Sequence, residues 1–170
     1  MTMTRVRRAA AFAGAAVVLG SMLTGCGALG NLLGNDVPRD DEGNVTEEGS
    51  IDIFSLSVGD CMPYTEDIGE MSEASVVPCS EPHADEVFYE FEASDGEIPT
   101  EEEFQAAVEE QCLPAFKDYV GIDYQDSTLD IWWITPTQQT WDQANDRLVQ
   151  CVVYDVEDEQ LTGSLKGAAR

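Results

Sequence analysis

The sequence predicts a small α+β domain, with one principal helix packed on a mainly antiparallel sheet and two disulfides, on three observations. Short apolar runs recur at strand length between Ser75 and Asp155. One stretch after Thr100 instead carries its apolar residues at spacings of three and four. Four cysteines lie within or beside these elements.

The elements follow in order. Ser75-Val76-Val77 and Glu86 to Phe91 alternate as strands do, the second placing Phe88 on the face opposite Val87, Tyr89 and Phe91. Thr100-Glu101-Glu102-Glu103 opens a helix, with Thr100 as cap, Glu103 closing a capping box and three carboxylates at the positive end of the dipole. Phe104, Ala107, Val108, Cys112, Ala115, Phe116 and Tyr119 then draw one apolar stripe. Pro114 is expected to kink or split that helix, and Gly121 to end it. Thr128 to Thr135 reads as a strand, and Leu148 to Asp155 as one apolar enough to be central. The domain is placed at residues 51–156. Residues 157–170 read as a loose C-terminal tail carrying Lys166 and Arg170, and no internal repeat appears.

Ahead of the domain the chain has a different character. Arg5, Arg7 and Arg8 precede an almost wholly small and apolar run from Ala9 to Leu23, the layout of an export signal and too short and Ala/Gly-rich for a spanning helix. Leu23-Thr24-Gly25-Cys26 matches the lipobox of bacterial lipoproteins. Residues 1–25 therefore read as a signal peptide, and Cys26 as a lipidated (diacylglycerol and palmitate-type) N-terminus. Residues 27–50, rich in Gly, Asn and acids, read as a flexible linker able to span roughly 25–30 Å, with Leu32 and Leu33 near the membrane. The run Asp40-Asp41-Glu42-Gly43 fails the calcium-loop pattern and reads as solvated charge. The expected location is the outer face of the cytoplasmic membrane, held by two acyl chains.

Charge narrows the partners. The formal net charge is −26, and removal of the signal with its three arginines takes it to −29. Nucleic acid is excluded, because a phosphate backbone needs clustered cations. A single histidine leaves no His-rich metal centre.

With Cys26 lipidated, Cys61, Cys79, Cys112 and Cys151 remain, an even number in an oxidising compartment. Of the three pairings, Cys61 with Cys79 joins neighbouring turn-flanked segments. Cys112 with Cys151 bolts the helix stripe to the strand face shared with Val149 and Val153. A zinc site from Cys61, Cys79 and His83 lacks the usual short Cys-x2-Cys spacing, so disulfides without metal are expected. His83 lies among carboxylates, but no nucleophile elbow or oxyanion motif accompanies Ser80, so no catalytic residues and no cofactor are assigned. Adjacent Trp132 and Trp133 point to opposite faces of their strand, and Trp132, beside Asp130, is a candidate aromatic contact. Trp141 is expected to cap the core.

Val58-Gly59-Asp60-Cys61, the segment Val77-Pro78-Cys79-Ser80-Glu81-Pro82-His83-Ala84-Asp85-Glu86-Val87-Phe88, a cysteine in the next helix, and Trp141 before Asp146-Arg147 and Cys151 together resemble the septum formation domain of actinobacterial envelope proteins. Asn145-Asp146 before Arg147 is a mild departure from that pattern. The resemblance implies a tethered extracytoplasmic domain associated by name with division, and brings no catalytic residues. The expected function is non-enzymatic binding of an envelope or division protein or a wall component through the surface near His83 and Trp132. The alternative is a small envelope hydrolase using His83 and nearby carboxylates.

Overall fold

The computed structural model describes residues 37–64, 72–157 and 160–170. The expected signal peptide, the expected lipidation site Cys26 and the start of the expected linker lie outside these residues. Among the described residues no helix is long and apolar enough to cross a membrane.

A four-stranded antiparallel sheet forms the centre, in the order β2 (Cys61–Met62), β4 (Asp85–Glu92), β6 (Leu148–Asp155), β5 (Leu129–Ile134). A two-stranded antiparallel ribbon pairs β1 (Gly49–Asp52) with β3 (Glu73–Val76). β6 is central and covered on both faces, as its unbroken apolar run requires, with Val149, Cys151, Val152 and Val153 all fully buried. One face carries helix α1 (Glu101–Val120), whose Phe104, Val108, Cys112, Phe116 and Val120 pack with Phe88 and β6. The other face carries the ribbon, with Ile51, Ala74, Val76, Val87 and Val152 in a second core. Trp133 joins the first core and Trp132 the second, so the two adjacent tryptophans do part to opposite faces.

Helix α1 starts on the expected capping box at Thr100 and Glu103 and ends on Gly121, whose φ of 93° is the left-handed conformation glycine adopts without penalty. Pro114 does not split it. Its ring lies on the exposed face, so the carbonyl that loses a helical donor can turn to water. A second helix, α2 (Gln138–Ala144), lies between β5 and β6. It is capped by Thr137 and buries Trp141, whose indole N–H donates to Gly96 O at 3.0 Å.

Three expectations are corrected. In β4 a bulge between Val87 and Tyr89 breaks the alternation, so Phe88 packs on the α1 face with Tyr89 and Phe91 while Val87 alone turns to the ribbon. The flexible linker does not extend to residue 50. Arg39 bridges Val45, Asp40 accepts from the amides of Glu42 and Asn44, and Val45 is buried in the second core. Nor is the stretch after residue 156 loose. Leu161 and Leu165 are 3% exposed in the first core, Gly167 and Ala169 donate to Tyr119 and Val120 carbonyls, and Arg170 pairs with Asp155. Two leucines and a handful of backbone hydrogen bonds anchor this segment, too short a pattern to stand out in sequence.

Candidate functional site

The motif residues converge on one end of the sheet. Gly59 takes φ 97°, a turn that suits glycine, and directs Asp60 inward. Asp60, 1% exposed, accepts both nitrogens of Arg39 at 2.5 and 2.8 Å and the Ser57 amide at 2.9 Å, so a buried carboxylate is fully paired and clamps the N-terminal arm. Cys61 and Cys79 form one disulfide, with Cα atoms 5.3 Å apart. Cys112 and Cys151 form the other at 6.1 Å, joining α1 to β6.

His83 follows the first disulfide. Its backbone pairs with Leu161 through N–H and C=O at 3.0 and 2.6 Å, and its ring is 1% exposed. Nδ1 lies 2.8 Å from the Glu81 carbonyl; because a carbonyl only accepts, Nδ1 carries a proton, and in the neutral ring it is Nε2 that presents the lone pair. Among the described residues that Nε2 is the buried side-chain polar atom without a hydrogen-bond partner. Beside it Glu86, fully buried, accepts from Tyr119 Oη at 2.6 Å, Ser164 Oγ at 2.5 Å and the Leu165 amide at 2.6 Å. Burial, and then the Glu86 carboxylate, push the Tyr119 phenol well above its ordinary range. His83 is therefore not on the surface, and a contact built on its side chain is corrected to a structural position. The same burial leaves a bulky hydrolase substrate no approach to the ring.

A second group lies across the ribbon-side face. Asp85, Tyr154 and Asp130 stand in register on β4, β6 and β5. Trp132, next on that face of β5, reaches over β6 to donate its indole N–H to Asp85 Oδ1 at 2.7 Å. Tyr124 donates to Asp130 Oδ1 at 2.5 Å, and that bond, with burial, pushes its phenol up to about 12. Trp132, Asp130, Tyr124 and Tyr154 are all half-buried, so aromatic surface and a carboxylate remain open to solvent together. The expected pair His83 and Trp132 thus meets only indirectly, through Asp85. Residues unforeseen in the sequence, Tyr124 and Tyr154, complete the open part; strand register alone would have paired Tyr154 with Asp130.

Burial pushes the Asp85 carboxyl above its ordinary range, against the opposing hydrogen bond from Trp132 and the nearby His83. A carboxyl whose folded pKa is raised weakens the fold above that pKa and ceases to do so when both states are protonated. Asp85→Asn, which keeps an acceptor for Trp132, should therefore melt higher than the natural protein at neutral pH. The gain should vanish as the pH falls below the usual aspartate value of 3.8; melting curves across pH check this, and a gain that persists in acid would contradict it.

The remaining motif residues are structural as well. Asp146 accepts the Leu148 amide at 3.0 Å and the Thr140 hydroxyl at 3.0 Å, and the Arg147 guanidinium lies 3.6 Å from the Trp141 ring centroid. Fold and site together define a small α+β domain stapled by two disulfides, in which the motif residues hold the chain ends to a central sheet. A family model described as septum formation matches residues 43–170, and the chain belongs to that family. Neither the curated proteins nor the solved structures compared with it gave a match. The matched span begins within the segment that read as linker and runs through the last residue, in accord with the packing of both ends.

Proposed function

We propose that this protein is a lipid-anchored extracytoplasmic binding module of septum or envelope assembly, attached through Cys26 to the outer face of the cytoplasmic membrane. Its contact surface is the open part of the ribbon-side face. The observation that carries the reading is a half-buried cluster in which Trp132 and Asp130 of the edge strand β5 meet Tyr154 of β6 and the hydroxyl of Tyr124, which reaches Asp130 from the α1 side, so that aromatic area and negative charge face solvent together. Such a surface suits a cationic side chain or amine on an envelope or division protein or a wall component, which an aromatic face and a carboxylate attract jointly. The formal charge of −26 favours the same sign of partner by long-range steering. The buried ionisable groups support binding over turnover: Asp60 and Glu86 are taken up by structural hydrogen bonds, and His83 is enclosed.

Crosslinking in intact cells, followed by recovery of the full chain, tests this. Trp132→Ala and Asp130→Asn should each lower partner recovery at least several-fold while the protein still folds. Cys26→Ala should lose the lipid mass from the membrane fraction. Unchanged recovery in both surface variants would refute the contact surface, and an unmodified Cys26 in the natural protein would refute the anchor.

A further inference from the structure

The enclosed lone pair of His83 sits beside the first disulfide. One ligand-capable atom each of Cys61, His83 and Glu86 lie within 4.8 Å of one another, all three residues buried. Cys79 is held at the same point by its bond to Cys61. While the sulfurs are bonded to each other neither is a thiolate, and the cluster is closed to metal.

Opening the disulfide changes the donor set. We propose that reduction of Cys61–Cys79 turns this corner into a zinc site, ligated by the two thiolates, Nε2 of His83 and a carboxylate oxygen of Glu86. Two sulfurs, one imidazole nitrogen and one oxygen form a four-donor set of the kind that suits tetrahedral zinc. The imidazole is already in the required tautomer, since its Nδ1–H donates to the Glu81 carbonyl at 2.8 Å, the outer hydrogen bond that orients metal-binding histidines. Glu86 has capacity left: Oε1 accepts from two hydroxyls, whereas Oε2 accepts only the Leu165 amide among the bonds described. The site is independent of the surface assigned above.

The chemistry balances with an external dithiol. The dithiol donates two electrons and closes its own disulfide, the Cys61–Cys79 bond breaks, and each sulfur takes a proton. Zinc then displaces those two protons to solvent. Cys79 is half-buried and gives the reductant a point of attack, whereas Cys112 and Cys151 are both fully buried, so mild reduction acts on the first pair. The newly synthesised chain, before its bridges close, presents the same thiols, and zinc bound there competes with disulfide closure.

Cobalt, a coloured stand-in for zinc, reads the site. The full chain, oxidised or mildly reduced with a dithiol and then freed of it under anaerobic conditions, is titrated with cobalt and back-titrated with zinc. The reduced form should bind one cobalt per chain with a thiolate-to-metal absorption band that zinc abolishes, and the oxidised form should show none. His83→Ala should weaken zinc binding at least tenfold. Cys79→Ser, which leaves the histidine in place, should show the same loss if the first variant does not fold. Zinc should also slow re-closure of the Cys61–Cys79 bond several-fold in the natural chain. No cobalt band in the reduced chain, or equal binding by a Cys61→Ser/Cys79→Ser variant, would overturn the proposal.

Discussion

Replacing Cys112 and Cys151 together with alanine should cost about 4 kcal/mol of unfolding free energy, from the chain entropy of a bridge spanning 39 residues. Small domains hold only about 5–15 kcal/mol in all, so the variant should be marginal at room temperature. The bridge lies where that loss matters most, because it ties the middle of α1 to the central strand beneath it and both residues are fully buried. Around it the helix is held by contacts such as the edge-on packing of Phe88 against Phe116, with centroids 5.9 Å apart, and these survive the substitution. Urea denaturation of the natural and variant chains gives the difference directly. A loss under about 1 kcal/mol would mean that side-chain packing alone fixes the helix, and that the unfolded chain gains little freedom without the bridge.

Glu86→Ala should be nearly as damaging, at about 3–5 kcal/mol, because it strands buried donors rather than only deleting a side chain. The hydroxyls of Tyr119 and Ser164 can rotate towards other acceptors, but the Leu165 amide is fixed by its backbone. Since two of those donors belong to the C-terminal segment, the variant should release it. Limited proteolysis should then cut near Leu161, and denaturation should begin earlier. Glu86→Gln should cost less, since its remaining oxygen still accepts from the hydroxyls and only the Leu165 N–H, now facing a donor NH2, loses its acceptor. Full stability in Glu86→Ala, with the C-terminal segment still protected, would assign the anchoring to Leu161 and Leu165 packing instead.

Local signals carried much of this molecule. The capping box at Thr100, the stripe from Phe104 to Tyr119 and the stop at Gly121 are chemistry within one or two helical turns, so they were legible without any partner segment. Cys112 and Cys151 were also legible, because helical and strand periodicities independently place each on an apolar face. The motif around Gly59-Asp60-Cys61 and Cys79 to His83 marked a family, but its residues turned out to secure the fold rather than to line a surface.

What the sequence by itself determined is the class of the domain, its principal helix and its central strand, which follow from periodicity and local geometry, whereas it only favoured one of three cysteine pairings, which the structure then fixed. Only the tertiary structure decided that Phe88 leaves its expected face, since a bulge is fixed by two strands and not one. It also decided that residues 37–50 and 160–170 belong to the fold. Their polar, Gly-rich composition reads as tether, and each is fixed by a few long-range partners, Arg39 with Asp60 and Leu165 with Glu86. The same holds for His83: a histidine in a short polar turn has no periodicity to bury it, and it is enclosed because the distant Leu161 pairs with its backbone in an isolated bridge.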